Sequence, residues 1–272
     1  MPLSSLQSTI LRALARHRSL GSYVAGSTWL ANRGPRISND IDIFHDREER
    51  VSIAAMEDAA TLQGYGMAVD WLRRSATFHQ ALISKAGDTT KLEWVLDSDF
   101  RFFPTQRDPI FGYVLHPVDL AMNKIMAAAG RREPRDIVDA LTIHREILPL
   151  GAVIWAAVEK APGFTPEGLI NEIRRLSNYT AADFRRVASE PPVDAAGVMQ
   201  GLKAALEEAE AFVAQMPTHK AGLLFLDHGQ VVQPDPARLG DYTTHAGARC
   251  GHWPSTSEID GLMLDRYRKS FF

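Results

Sequence analysis

The stretch Asp40-Ile41-Asp42-Ile43-Phe44 constrains this chain more than any other. Acids alternate with β-branched and aromatic residues, which is the period of a half-buried strand. Residues two apart on a strand share a face. Asp40 and Asp42 are therefore expected to project side by side, with Ile41 and Ile43 turned into a core. Adjacent carboxylates repel each other. That cost is offset where a hard cation such as Mg²⁺ lies between them, because magnesium takes carboxylate and phosphate oxygens together. Upstream, Gly26-Ser27 is expected to open a short helix through Thr28 to Asn32. A glycine there lets the backbone approach a phosphate, and free N–H groups at a helix start attract anions. Together these parts predict a site for a nucleoside triphosphate and its metal. The alternative is a solvated strand face, which also commonly carries acids.

The 272 residues exceed a typical single domain, so two packed units are expected. The hydrophobic share of 45% and charged share of 23% place the chain among soluble globular proteins rather than disordered ones. No apolar run is long enough to span a bilayer. The first residues lack the pattern of a signal peptide and read as an amphipathic helix. The lone cysteine, Cys250, allows no intrachain disulfide and fits a reducing cytoplasm. A net charge of −3 leaves no global nucleic-acid footprint, so an RNA partner must meet a local basic patch.

In chain order, helices are expected over 4–18 and 47–63, with short strands over 23–25, 67–74, 77–84 and 90–96. Gly87-Asp88 reads as the turn between the last two strands. In the strand Lys91-Leu92-Glu93-Trp94-Val95-Leu96-Asp97, Leu92, Trp94 and Leu96 share one face, and Glu93, Val95 and Asp97 the other. Residues 100–112 read as a loop. Arg33 and Arg36, in the loop before Asp40, either pair with phosphate or the acidic cluster or simply solvate the loop. Pro117 suits the first turn of a helix running to 129, in which Lys124 is the only charge between Asp119 and Arg131. Such a lysine either snorkels to the surface or is a buried functional cation. Pro134 begins another helix, with Asp136 in its first turn, where negative charge is favoured. Asp139 lies four residues beyond Arg135, the spacing of a helical ion pair. Beyond Leu150 the chain turns mainly helical. Arg174, Arg175, Arg185 and Arg186 form the best candidate RNA-backbone patch, although a solvated helix face carries such pairs equally well. His245, Cys250 and His252 invite a zinc reading, but their spacing matches no standard finger.

The Gly-Ser, spacer, Asp-x-Asp arrangement resembles the polymerase-β-like nucleotidyltransferase superfamily. Within it, the chain is most similar to AbiEii-type toxin nucleotidyltransferases of type IV toxin–antitoxin systems. The resemblance covers roughly 20–147 and includes a second motif from Lys124 through Asp139. It implies an α/β (α+β) fold with a small mixed-sheet nucleotidyltransferase core. The tail after Leu150 shows no family signature; together with the helical reading of the chain beyond that point, the expected division is the core over 1–115, a helical domain carrying the second motif over 116–216, and a C-terminal extension over 217–272. It implies Asp40 and Asp42 as metal ligands for Mg²⁺ or Mn²⁺. A third carboxylate is expected on an adjacent strand, where Glu93 is the first choice and Asp97 the second; a surface glutamate is the alternative. Gly26 and Ser27 would cradle phosphates, and Lys124 would face the triphosphate with Arg135 nearby. In the closing Arg-Asp-x-x-Asp, Asp136 aligns with the first aspartate and orients Lys124 or assists at the metal, and Asp139 aligns with the second. The substrate would be an NTP, the acceptor an RNA such as the 3′ end of tRNA, and the partner a cognate antitoxin. A small-molecule or protein acceptor, or a non-catalytic nucleotide- or RNA-binding protein, are the competing functions.

Overall fold

The computed structural model describes residues 3–254; the end of the expected 217–272 extension lies outside the described residues. The chain divides into two compact units. One comprises Met1–Asn32, Ile37–Asp99 and Pro104–His116, the other Arg33–Arg36, Phe100–Phe103 and Pro117–Phe272.

The first unit opens with helix α1 (Ser5–Leu14), whose start is a capping box: the Ser4 hydroxyl accepts from the Gln7 N–H, and the Gln7 side chain accepts from the Ser4 N–H. Leu6, Ile10, Leu11 and Leu14 are buried at helical spacing. Then come β1 (Ser22–Ala25), the short helix α2 (Ser27–Leu30) and β2 (Asp40–His45). Helix α3 (Glu48–Gly64) leads to β3 (Ala68–Arg74), β4 (Phe78–Lys85) and β5 (Asp88–Leu96). After β6 (Phe100–Arg101), which counts with the second unit, β7 (Gln106–Asp108) and β8 (Gly112–Val114) follow. The strands of this unit form one sheet in the order β3-β4-β5-β2-β1-β8-β7. It is mixed, since β2 runs parallel to β5 and β1 to β8 while the remaining pairs are antiparallel. The fold class is thus the expected α/β one.

Two local expectations shift. Residues 100–112 were expected as a loop, yet they hold β6, β7 and the start of β8; strands of two or three residues are too short to show an alternation. The hairpin between β4 and β5 turns on Ala86-Gly87, because Lys85 pairs with Asp88 as the last rung. Both turn residues have positive φ (53° and 91°), as a two-residue hairpin that matches strand twist requires.

One sheet face is apolar. Ile41, Ile43, Ala81, Ile83, Leu92 and Trp94 are all fully buried there, in contact with α3. A buried ion cluster fastens this layer. Asp58 of α3 accepts from Arg18 Nη2 at 2.6 and 2.8 Å, lies 2.7 Å from His17 Nδ1, and accepts from the Trp94 indole at 2.8 Å. A buried carboxylate is tolerable only with such multiple donors. The other face carries the half-buried alternate residues, among them Asp42, Gln80 and Glu93.

His45, the last residue of β2, is fully buried, and among the described residues neither ring nitrogen has a hydrogen-bond partner. Burial, with Arg18 and Arg50 adding to it, pushes its pKa down to about 3. The unfolded chain therefore takes up a proton below pH 6.5 that the folded chain refuses. His45 contributes fully to stability above that value, and its contribution is lost as pH falls from there towards 3. The melting temperature is expected to fall between about pH 6.5 and about pH 4.5, and His45→Leu to flatten that fall, as read by circular dichroism. His79 is shifted in the same direction by burial and Arg74, so a smaller slope should persist in the variant. An unchanged slope would remove His45 as its source.

The second unit is mainly helical: α4 (Pro117–Gly130), α5 (Pro134–Glu146), α6 (Leu150–Ala157), α7 (Pro166–Leu176), α8 (Ala181–Phe184) and α9 (Ala195–Val213). Every residue of α6 is buried, which its all-apolar sequence dictates, and α4, α7 and α9 surround it. Thr165 caps α7 by accepting from the Gly168 N–H, and Pro166 occupies the first turn. Strands β9 (Leu224–Asp227), β10 (Gln230–Val232) and β11 (Thr243–His245) make a second sheet, and β12 (Ala248–Arg249) pairs with β6. Segment Arg33–Arg36 is held in this unit: the Glu190 N–H donates to the Pro35 carbonyl, and Arg36 bridges to Ser189. Among the described residues, no helix is long and apolar enough to cross a membrane.

Candidate active site

Strand pairing sets the register of the carboxylates. On β2, Asp42 lies opposite Ala25 of β1 on one side and Glu93 of β5 on the other. Asp40, two residues back, lies opposite Lys91. Asp40, Asp42 and Glu93 thus share the half-buried face, and Glu93, the first choice from sequence, is the cross-strand neighbour of Asp42. Asp97, the second choice, is four residues further along, about 13 Å at strand rise. It accepts from the Ser98 N–H, and its N–H donates to the His45 carbonyl beyond the last rung. Glu93 accepts a 2.6 Å hydrogen bond from Gln80 Nε2 on β4, a partner that no pattern in the sequence singles out. Only the strand register puts Gln80 opposite Glu93.

Gly26, between β1 and α2, has φ 75° and ψ −151°, a region open essentially to glycine alone. A Cβ built there would fall on the Asp42 carboxylate, 2.8 Å from its Cγ. The Asp42 carboxylate thus leaves no room for a side chain at Gly26. Hydroxyls secure the following turn: Thr28 Oγ1 and Ser38 Oγ each donate to the Asp40 carbonyl at 2.9 Å. Ser27 Oγ is 3.1 Å from Ser38 Oγ, and Gln7 Nε2 donates to the Ser38 carbonyl at 2.8 Å. Helix α2 has only four residues. Its dipole is slight, so what Gly26-Ser27 offers an anion is a close backbone rather than the helix field.

In the helical unit, Lys124 of α4 is buried, its Nζ 2.8 Å from Asp139 Oδ2 of α5. Arg36 donates to the same carboxylate from Nε at 2.7 Å and from Nη2 at 3.1 Å. Burial by itself raises the Asp139 pKa, but Lys124 and Arg36 outweigh it and hold the carboxyl below its ordinary range. It is Asp139, not Asp136, that meets the Lys124 ammonium. Asp136 is buried against Arg131, which donates from Nε at 2.7 Å and Nη2 at 3.0 Å. The Arg135–Asp139 helical pair is not what forms; Arg135 is 3.9 Å from Glu133 instead. Arg36 is 103 positions away from Asp139, and nothing local in the sequence announces their contact.

Two other sequence readings meet occupied side chains. Arg174 pairs with Glu210 at 2.9 Å and Arg175 with Glu172 at 2.6 Å, so half of the candidate RNA patch is neutralised. His245 Nε2 is 2.8 Å from the Phe102 carbonyl with its ring stacked on Phe103, and His252 Nε2 is 3.0 Å from the Ala246 carbonyl. Among the described residues, no three His, Cys, Asp or Glu side chains group closely enough to hold a metal by themselves. Asp40, Asp42 and Glu93 thus do not close a three-ligand metal site on their own; magnesium is commonly bound by one or two carboxylates plus substrate phosphates and waters rather than by an all-protein cage.

No family model and no curated protein matches the chain. Among solved structures it is similar to MenT4, a nucleotidyltransferase toxin from Mycobacterium tuberculosis, at 16% identity over 79% of this chain and 84% of that one, with a TM-score of 0.49. It is also similar to JHP933 from Helicobacter pylori, at 12% identity over 77% of this chain and 90% of that one, with a TM-score of 0.45.

Proposed function

We propose that this protein is a nucleotidyltransferase that moves an NMP from an NTP to an acceptor hydroxyl. The observation that carries the reading is the pressing of the Gly26 backbone against Asp42, on a sheet face that also bears Asp40 and Glu93. A solvated strand face has no need of a glycine-only turn against one of its acids. Asp40 and Asp42, with Glu93 as third donor, would hold Mg²⁺ or Mn²⁺, which supplies charge neutralisation for the triphosphate and acidifies the acceptor hydroxyl. Gly26 and Ser27 present backbone N–H groups to phosphate oxygens. Gln80 keeps the Glu93 carboxylate in place. Lys124, held by Asp139, supplies a cation for a phosphate group. The acceptor oxygen bonds to the α-phosphorus, the bond from that phosphorus to the bridging oxygen breaks, pyrophosphate leaves, and the hydroxyl proton passes to water.

The acceptor we propose is RNA, specifically the 3′ end of tRNA, in a toxin controlled by a cognate antitoxin; the AbiEii-like motif pair supports this reading. The test incubates the purified protein with Mg²⁺, each α-labelled NTP in turn and total bacterial RNA, beside an Asp40→Asn/Asp42→Asn double variant. Label in tRNA-sized RNA with the native protein alone is the expected result. Metal-dependent NTP binding without labelled RNA would move the acceptor to a protein or small molecule, and the absence of both binding and label would overturn the enzyme reading.

A further inference from the structure

The helical unit holds a cluster whose charges do not cancel. Asp139 carries one negative charge and touches two cations, Lys124 and Arg36. All three side chains are nearly buried, at 3%, 11% and 9% exposure respectively. A buried ion pair closes on itself, and two cations on one carboxylate leave one positive charge over. The geometry identifies which cation is the surplus one. Arg36 engages both carboxylate oxygens through two nitrogens of its planar fork, the stronger and more directional arrangement. Lys124 touches one oxygen only, and its ammonium has three donors. Its neighbours one helical turn away on α4, Leu120, Ala121 and Ala128, are buried and apolar and offer no acceptor. Among the described residues, Asp139 is its one polar contact.

We propose that Arg36 is a charge-balancing residue: it neutralises Asp139, and so leaves Lys124 as the cation that receives one phosphate group of the substrate. Without Arg36, Lys124 and Asp139 would form a neutral buried pair with little attraction for an anion. The identity of the anion rests on the nucleotidyl-transfer reading; the charge count does not. Arg36 acts through Lys124 and is a positioning residue, not a catalytic one.

The experiment measures binding of inorganic triphosphate, without added metal, to the full chain by titration calorimetry. Arg36→Met should weaken binding about tenfold or more relative to the native protein, because the surplus charge is gone. Arg36→Lys keeps the charge but loses the fork, and should stay within about threefold of native. Arg36→Met/Asp139→Asn removes one charge of each sign, restores the surplus on Lys124, and should recover most of the lost affinity. Equal weakening by Arg36→Lys and Arg36→Met would show a purely structural guanidinium and overturn the proposal. So would native-like binding by Arg36→Met, no triphosphate binding by the native protein, or no recovery in a double variant that melts cooperatively. If the double variant does not fold, the contrast between Arg36→Lys and Arg36→Met decides. Failure of the nucleotidyl-transfer reading would appear separately, as absent label transfer by the native protein with Mg²⁺ and NTP, and would leave these binding ratios standing.

Discussion

Asp42→Asn should lower nucleotidyl transfer by on the order of a thousandfold or more, the scale on which removing a group that stabilises transition-state charge acts. The substitution is isosteric and leaves the pairing of β2 with β1 and β5 untouched, so the melting curve should barely move. Activity and stability are thereby separated in one variant. The neighbouring carboxylates should follow in order. Asp40→Asn removes the other acid of the strand pair. Glu93→Gln should cost less than Asp42→Asn, because Glu93 is already engaged by Gln80 and stands farther from the Gly26 backbone in register. Label incorporation at saturating Mg²⁺ and NTP gives the rates, and circular dichroism gives the melting curves. Transfer retained by Asp42→Asn would sink the assignment of this sheet face as the reactive one.

How far these residues could be read without coordinates depended on the range of the interaction. The alternation in Asp-Ile-Asp-Ile-Phe fixes which side chains share a face within one strand, and the structure keeps that alternation in the burial of β2. The pairing of β5 beside β2 is a parallel contact between segments about 50 residues apart, and alternation within each strand says nothing about it. Glu93 could be picked as the third carboxylate only through family resemblance, and its Gln80 partner not at all. In the helical unit the limits were sharper. Lys124 stood out because a lone charge in an apolar helix is costly, but helical spacing pointed to Arg135 for Asp139. The structure gives Asp139 to Arg36 and Lys124, because a fully buried carboxylate needs donors that are themselves buried, and Arg135 is 42% exposed. The short strands β6, β7 and β12 escaped for a different reason: with two or three residues each, they are specified by their partners rather than by any pattern of their own.

Gly26→Ala should be the second most damaging change to activity, by roughly a hundredfold, the scale on which an ångström of misplacement acts. Two separate costs are involved. Alanine at φ 75°, ψ −151° is strained wherever it occurs, by roughly 1–3 kcal/mol. Its Cβ would also collide with the Asp42 carboxylate, so either the turn or the acid must move. A double-variant cycle on stability separates the two costs. In an Asp42→Ala background the carboxyl carbon and oxygens are gone, and the nearest remaining Asp42 atom is the Cβ, at 3.1 Å. Gly26→Ala should then carry mainly the backbone strain and destabilise clearly less than it does opposite the native carboxylate. The difference between the two destabilisations, read from denaturant midpoints, measures how tightly the turn is held against the acid. Equal destabilisation in both backgrounds would mean that the backbone relaxes away from Asp42 at no cost. The close approach at Gly26 would then be incidental to the site, and the ground for placing phosphate chemistry on this face of the sheet would be lost.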